Sequence, residues 1–351
     1  MKNYTEVLVG FLFFVVMVGI IGAVPAAGAE SEFNVAFLGD VFGTGGFWDV
    51  ARGGVERAKE QLGVNTKVVE MGTEPSKWKP AIRSLAATGR YDLIITGAPT
   101  KVEPIKEIAP QFPDQKFLLI DGKLAGVENV YSTTYAQNEG SFLGGVLAGL
   151  VTKGDFDKLP DANEDNVVGF VGLMDHPIIN DFLEGYRQGV HYVDPEAEVL
   201  VSYVGSLNNP PKAKELAKVQ YGKGADIIFT PASANNIGVI EAAQAEGGYV
   251  IGSDANQNPL APGVVLTSVY KKVGDTIYET IQKSLTGFDA VDFGTTRRLG
   301  YPKGAGIARD EYYGKYVPDE IKLRVAEVAR KLEAGEIDVN STIAEDLSPR
   351  D

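Results

Sequence analysis

From residue 33 onward, short apolar runs alternate with longer segments whose apolar residues recur at helical spacing. The predicted strands of the first half are 33–38, 67–70, 91–96 and 116–121. The predicted helices between them are 48–62, 80–88 and 102–109. The run YDLIIT at 91–96 has no polar face, which is typical of a strand covered on both sides. This alternation predicts βαβ units and a parallel sheet.

A second series of the same kind begins near residue 139. Its predicted helices are 139–151, 177–191, 211–221, 237–246, 273–285 and 319–332. Its predicted strands are 167–171, 198–204, 225–229, 249–251 and 264–269. Two successive series predict an α/β protein with two similar, doubly wound lobes. In such sheets a ligand binds beyond the carboxyl ends of the strands.

The amino-terminal segment differs from the rest of the chain. After Lys2, residues 7–24 are apolar and uncharged, and small residues follow around Ala27-Gly28-Ala29. This order is typical of a secretory signal peptide, and a run of about 18 apolar residues also reaches the lower limit for a membrane-spanning helix. We therefore expect residues 1–29 to be a signal peptide or an N-terminal membrane anchor. In either case the remaining chain lies outside the cytoplasm, secreted or anchored to the outer face of the cell membrane.

Composition excludes several classes of function. The 351 residues include no cysteine, which excludes disulfides, thiolate catalysis and cysteine-bound zinc. The formal net charge of -14 disfavours a nucleic-acid partner, because an acidic surface repels phosphate backbones. Hydrophobic residues make up 44% of the chain, which is enough for a sizeable core.

The loop GDVFGTGGFWDV at 39–50 follows a predicted strand and precedes a predicted helix. A dinucleotide site would need a glycine where Trp48 stands, and Phe42, Phe47 and Trp48 would crowd a pyrophosphate. We therefore interpret the loop as the lip of a pocket that stacks on a flat ligand, not as a phosphate cradle. Phe47 and Trp48 are the candidate stacking residues.

No catalytic or metal-binding motif emerges, and we predict no cofactor. The sequence has neither a P-loop nor a G-x-S-x-G nucleophile motif. DANEDN at 161–166 resembles a calcium loop, but its sixth residue is Asn166 where glycine is needed. His191, near a helix end, is interpreted as structural. His176, at a strand end, is a candidate ligand contact.

Four charged residues at strand ends remain as candidates for binding a small ligand. Asp40, Asp121 and Asp254 follow predicted strands, and their carboxylates can accept hydrogen bonds from hydroxyl or ring N–H groups. Lys271 follows the last apolar strand and can counter a buried carboxylate. An aspartate just after a strand can instead cap the next helix, and both interpretations stay open.

Several stretches together resemble the basic membrane protein family of substrate-binding proteins for ABC transporters. They include QNEGSFLGG at 137–145, IGSDANQ at 251–257 and TSVYK at 267–271. The resemblance implies a type I periplasmic-binding-protein fold, in which three crossing strands join two α/β lobes. The expected crossings lie near Ser132, Leu266 and Phe293. The expected first lobe is 33–132 with 267–293, the second is 133–266 with 294–340, and 341–351 form a loose tail.

The resemblance further implies capture of a small ligand, a purine nucleoside, by hinge closure, and its delivery to ABC permease subunits without a covalent step. In the family, aromatic residues sandwich the base, while acids and a lysine hold the ribose and the base edge. The matching positions of this sequence are Asp40, Phe47, Asp121, Asp254 and Lys271.

Three positions depart from the family pattern. Trp48 replaces an asparagine, Leu207 replaces the second stacking aromatic, and Asn235 lies where the family has a glycine-rich loop. We expect Trp48 to offer a replacement aromatic face and Asn235 to contact the base edge. Two alternatives remain: a ligand-sensing receptor subunit of the same fold, and a secreted nucleoside hydrolase, although the sequence lacks a run of acids suited to hold its metal.

Overall fold

The computed structural model describes residues 33–154 and 157–343. Their strands are β1 (Asn34–Gly39), β2 (Asn65–Glu70), β3 (Leu93–Gly97), β4 (Lys116–Ile120), β5 (Val130–Tyr135), β6 (Val167–Gly172), β7 (Glu198–Tyr203), β8 (Ala225–Phe229), β9 (Tyr249–Asp254), β10 (Val265–Lys271), β11 (Thr296–Leu299) and β12 (Ala305–Ile307). Their α-helices are α1 (Phe47–Leu62), α2 (Pro75–Ala86), α3 (Val102–Ile108), α4 (Gln137–Lys153), α5 (Pro177–Val193), α6 (Pro210–Tyr221), α7 (Asn236–Glu246), α8 (Val273–Thr286), α9 (Glu311–Tyr316) and α10 (Asp319–Glu333).

The strands form two six-stranded sheets. The first has the order β11-β5-β4-β3-β1-β2, and all its pairs are parallel. The second has the order β12-β10-β9-β8-β6-β7 and is parallel except for β12, which runs antiparallel to β10. These sheets confirm the predicted fold of two parallel-sheet α/β lobes.

Helices cover both faces of the first sheet, which explains its continuous apolar runs. In β1, Val35 and Phe37 pack in one core with α1 and α8, whereas Ala36 and Leu38 pack in another with α2 and α3. All five residues of β3 are buried, as the unbroken apolar run predicted. The polar ends of the strands are therefore the places where this sheet can meet a ligand.

The chain passes between the sheets after β5, after β10 and between β11 and β12. The residues named for the expected crossings lie close by: Ser132 is within β5, Leu266 is within β10, and Phe293 precedes β11. β11 pairs with β5 in the first sheet, although the expected boundaries placed 294–340 in the second lobe. In addition, α8 follows β10 of the second sheet but packs against α1 of the first lobe, where a Cβ on Gly54 would lie 2.2 Å from the Gly274 oxygen.

Glycines bring α4 and α5 into close contact beneath the second sheet. A Cβ on Gly189 would lie 2.0 Å from the carbonyl oxygen of Phe142, and one on Gly145 would lie 2.1 Å from that of Tyr186. A side chain at either position would force the helices apart. Small residues of the EGSFLGG stretch therefore serve packing: Gly145 against α5, and Gly140 and Gly144 against β12 and β10.

The chain ends lie largely outside the described residues. The predicted signal peptide or anchor, 1–29, is not among them, nor are residues 344–351 of the predicted tail. Ser341 and Thr342 are described, and both donate hydrogen bonds to Asp181 of α5, at 2.6 Å and 2.9 Å. No helix within 33–154 or 157–343 is long and apolar enough to cross a membrane.

Candidate functional site

The carboxyl ends of strands from both lobes meet at one cleft. Asp121, directly after β4 of the first sheet, accepts a hydrogen bond from Lys271, the last residue of β10 in the second sheet. Lys271 Nζ lies 2.6 Å from Asp121 Oδ2, and the two side chains are only 5% and 8% exposed. This buried ion pair connects the lobes, and removing either partner leaves an uncompensated charge.

Lys271 also brings aromatic side chains into the same cluster. Its Nζ lies 5.2 Å from the ring centroid of Phe47 and 5.7 Å from that of Phe182. Both distances are within the range of cation–π attraction. Phe47 belongs to the first lobe and Phe182 to α5 of the second, so the ammonium group lies between rings of both lobes.

Asp254 ends β9 on the second lobe, opposite the first-lobe loop. Burial raises its pKa; the charge of Lys271 opposes this effect and that of Asp121 adds to it. A Cβ on Gly46 would lie 3.5 Å from Ser233 Oγ and 4.0 Å from Asp254 Oδ2. The loop thus lies within van der Waals distance of Ser233 and Asp254 of the second lobe.

Strained backbone marks the same strand ends. Ala98, Asp121, Ser233 and Asp254 all have positive φ angles, between 53° and 68°, and follow or end β3, β4, β8 and β9. A non-glycine residue in such a conformation costs about 1–3 kcal/mol and persists only where surrounding contacts impose it. Such outliers gather at binding sites, and Asp121 and Asp254 both belong to the charged cluster around Lys271.

The backbone amides of the glycine-rich loop bind a carboxylate of the protein itself, that of Asp49. The backbone N–H groups of Gly43, Thr44 and Gly45 donate to the carboxylate of Asp49, at 2.8, 2.8 and 2.7 Å. Successive N–H groups of this kind can bind phosphate. Here Asp49 occupies them, which argues against a phosphate cradle.

Phe47 and Trp48 follow this loop at the start of α1. Their rings meet edge to face, with centroids 5.0 Å apart and an interplanar angle of 84°. Trp48 also packs against Phe37 of β1, with ring centroids 6.2 Å apart. Phe47 is therefore the ring beside Lys271, while Trp48 supports it from the core of the first lobe.

Asn235, predicted to contact the base edge, has its amide engaged by the neighbouring backbone. Its side chain is fully buried. Its Nδ2 donates to the carbonyl oxygens of Ser206 and Ala232, and its Oδ1 accepts from the N–H of Asn209. Since the backbone occupies the amide, we infer that Asn235 fixes the 206–209 loop instead of reaching the ligand. Leu207, in that loop, is 54% exposed.

The two histidines cap or support α5. His176 precedes the helix, and its Nδ1 accepts from the N–H of Ile178 at 3.4 Å. His191 Nε2 lies 3.2 Å from the carbonyl oxygen of Ala197, beyond the helix end. Each therefore has a local partner. Among the described residues, no group of three or more His, Asp or Glu side chains is placed to hold a metal ion.

A cavity of about 380 Å³ lies between the lobes, and Asp121 is one of the residues that line it. Apolar residues from both lobes line much of it, including Pro99, Val102, Pro177 and Ile178. Gln137 and Thr134 also line it, and their buried Oε1 and Oγ1 atoms have no hydrogen-bond partner in the described chain. An apolar cavity with a few unpaired polar atoms is typical of a small-molecule site, and this one continues the cleft.

Sequence reasoning missed two parts of the cleft. Lys101 is completely buried behind Asp40, and Phe182 contributes a ring from α5. Lys101 follows Pro99 in a segment whose pattern indicated only the start of a helix. Its ion pair with a residue 61 positions away carries no local sequence signal.

Comparison with known proteins identifies the family. A sequence model described as ABC transporter substrate-binding protein PnrA-like matches residues 35–305. The chain belongs to this PnrA-like family. The PnrA-like chain is therefore an ABC transporter substrate-binding protein. Proteins of this class bind a small ligand and interact with membrane permeases.

Relatives of this PnrA-like protein come from archaea and bacteria. An uncharacterized lipoprotein of Pyrococcus abyssi is 30% identical over 297 residues, covering 80% of this chain and 70% of the relative. Basic membrane protein A2 of Borrelia garinii subsp. bavariensis is 26% identical over 291 residues, covering 82% and 81%. The crystal structure of an ABC transporter solute-binding protein from Aeropyrum pernix K1 has the same fold, with a TM-score of 0.78, 24% identity and coverage of 90% and 94%.

Proposed function

We propose that this protein captures a purine nucleoside outside the cytoplasm and delivers it to an ABC permease. One observation carries the proposal: Asp121 and Phe47 of the first lobe meet Lys271 of the second lobe in one buried cluster. The charge of Lys271 also acts on Asp254, so a second carboxylate lies within electrostatic range of the same cation.

This set of groups complements the parts of a nucleoside. Ribose hydroxyls and ring N–H groups are donors, which the carboxylates of Asp40, Asp121 and Asp254 can accept. The Lys271 ammonium can donate to a ring nitrogen or oxygen. Phe47 offers a face for the base, and stacking of a base on an aromatic side chain contributes about 1–3 kcal/mol. None of these contacts requires a covalent step.

Ligand capture would close the two lobes about the passages that follow β5, β10 and β11. A ligand that touches both Asp121 and Asp254 binds the closed arrangement better than an open one, and it therefore shifts the population toward closure. The names lipoprotein and basic membrane protein among the relatives support a location at the outer face of the membrane. Residues 1–29 would supply the export signal or anchor.

The decisive experiment is calorimetric titration of residues 30–351 after unfolding and refolding to remove carried ligand. Guanosine, inosine, adenosine, cytidine and ribose are the probes. We expect binding of the purine nucleosides, no free base or ribose released on incubation, and no comparable binding of ribose alone. Failure of every nucleoside to bind would refute the proposed cargo, while release of free base would favour the hydrolase.

Variants of the aromatic lip give an independent check. Phe47→Ala and Trp48→Ala should each weaken nucleoside binding, by about tenfold for a loss of about 1.4 kcal/mol. Glu60→Gln, on the exposed side of α1, is the matched control and should bind as the unmodified protein does. Unchanged affinity in both aromatic variants would remove this loop from the site.

A further inference from the structure

A buried lysine lies directly behind the first carboxylate of the cleft. Lys101 has an exposed fraction of 0%, while the side chain of Asp40 is 17% exposed. Lys101 Nζ lies 2.8 Å from Asp40 Oδ1 and 3.0 Å from Oδ2, and it donates a hydrogen bond to Oδ2. It also donates to Thr100 Oγ1 at 3.1 Å. Asp40 is therefore the member of the pair that can reach a ligand.

Local structure is arranged to place this ammonium group. Ala98, after β3, has a φ of 68°, and its N–H donates to the Ile120 carbonyl of β4 at 2.8 Å. The turn Pro99–Lys101 follows and carries the lysine under the end of β1. There Nζ lies 3.4 Å from the ring centroid of Trp78 and 5.6 Å from that of Trp48. The two indoles enclose the cation, and Trp78 supplies a cation–π contact.

Each member of the Lys101–Asp40 pair counters the pKa shift that burial imposes on the other. Burial lowers the pKa of Lys101, and the hydrogen bond and charge of Asp40 counter this shift. Burial raises the pKa of Asp40, and Lys101 counters that shift in turn. A methionine would fill much the same space as Lys101 without a desolvation penalty. What the lysine adds is a positive charge, applied to Asp40.

Other charged groups near this carboxylate are engaged with the glycine-rich loop. Glu70, at the end of β2, accepts from the N–H of Phe42, and Asp49 of α1 accepts from the loop amides. Arg52 of α1 lies over the Phe42 ring, 5.5 Å from its centroid. Within the described part of the chain, Asp40 forms its ion pair with Lys101.

We propose that Lys101 is a positioning residue of the binding site, which holds Asp40 in place as an ionised acceptor for donor groups of the ligand. This rests on the proposed function, because it assumes that Asp40 faces a nucleoside. Lys101 then contributes to specificity, because an ionised Asp40 requires a ligand that presents a hydroxyl or N–H group to it. Without Lys101, Asp40 would protonate more readily and would offer a donor in place of an acceptor.

The test compares Lys101→Met with the unmodified protein between about pH 5 and about pH 8. Guanosine affinity is measured by calorimetry, and the Asp40 carboxyl carbon is titrated by NMR without ligand. Loss of the cation should move the Asp40 titration midpoint upward by about one pH unit or more, since only the hydrogen bond from Trp48 then counters the effect of burial. Affinity should fall as the pH is lowered, by at most about tenfold for each unit of the midpoint shift, and should recover as the pH rises.

Two further variants keep the test decisive. Lys101→Gln retains a neutral donor for Asp40 and should show the same upward shift, so it serves if Lys101→Met fails to fold. In Asp40→Asn/Lys101→Met the pair is neutral on both sides, and the pH dependence due to Asp40 should vanish. Thermal unfolding of each variant verifies that the fold is kept.

The outcomes separate this proposal from the proposed function. Weaker binding with an unchanged pH profile and an unchanged Asp40 titration would show a purely structural role and overturn the proposal. If no nucleoside binds the unmodified protein, the proposed cargo is refuted. The ligand-free titration then decides whether Lys101 keeps Asp40 ionised, and an unmoved midpoint overturns that as well.

Discussion

The hydrogen bonds between Asp49 and the loop at 43–45 allow a prediction that needs no knowledge of the ligand. Asp49→Ala removes the acceptor of three backbone N–H groups, held at 2.8, 2.8 and 2.7 Å. A hydrogen bond contributes about 1 kcal/mol net, but this loop is exposed and water can replace part of the loss. We therefore estimate that the variant loses about 2 kcal/mol of local stability.

Amide hydrogen exchange measures this loss directly. A local cost of about 2 kcal/mol corresponds to exchange roughly 30-fold faster at Gly43, Thr44 and Gly45. Nucleoside affinity should fall with it, because the same loop leads into Phe47 and approaches the second lobe. Glu56→Ala is the matched control, since Glu56 pairs with Arg52 on the exposed surface of α1.

Exchange of the three amides in Asp49→Ala at the rate of the unmodified protein would refute a role of the Asp49 carboxylate in holding the loop. Such a result would mean that the loop is held by contacts with the second lobe and not by the carboxylate. The exchange rate in Asp49→Asn should lie between those of the unmodified protein and Asp49→Ala, because an amide side chain retains one acceptor oxygen. An order in which Asp49→Asn exchanges faster than Asp49→Ala would also contradict the account.

Three other predictions test the lobes and their contacts. Lys271→Met leaves Asp121 buried without its partner, so about 3 kcal/mol should favour separation of the lobes; X-ray scattering should show a larger radius of gyration, and an unchanged radius would contradict this. Gly189→Val should lower the unfolding free energy by about 3 kcal/mol or more, because α4 and α5 cannot remain in contact, while Gly53→Ala, with open space around its Cβ, should be neutral or stabilising. Burial raises the pKa of Asp254 above its unfolded value, so its ionisation destabilises the fold at neutral pH and not below the unfolded pKa. Asp254→Asn should therefore raise the melting temperature at about pH 7 and have little effect at about pH 3, at the expense of ligand affinity; an equal effect at both pH values would contradict this.

The secondary structure was predictable wherever one periodicity dominates. The pattern gave a helix at 48–62, and α1 spans Phe47–Leu62. The predicted helix at 80–88 was shifted, because Pro80 suggests a first helical position whereas α2 begins at Pro75 and continues through Pro80. Local pattern cannot choose between two such prolines, and packing of Trp78 and Ile82 decides the start.

The cleft was predictable in part for a reason of topology. Parallel strands bring their carboxyl ends to one edge of their own sheet, so Asp40 and Asp121 could be assigned to one edge of the first sheet, and Asp254 to the matching edge of the second, from the strand pattern alone. Pairing across lobes, as between Asp121 and Lys271, needed the family resemblance and the structure. Asn235 shows the limit: its burial depends on where the 206–209 loop lies, which no neighbouring residue encodes.

The packing of α8 against α1 makes the first lobe depend on a late segment of the chain. The first lobe takes α8 and β11 from a segment synthesised after nearly all of the second lobe. Until that segment emerges, the apolar side of α1 around Val55 and the edge of β5 lack their partners. The amino-terminal lobe therefore cannot finish folding before most of its neighbour has been synthesised, and a nascent chain shorter than residue 299 exposes an apolar helix face and an unpaired strand edge, both of which favour aggregation.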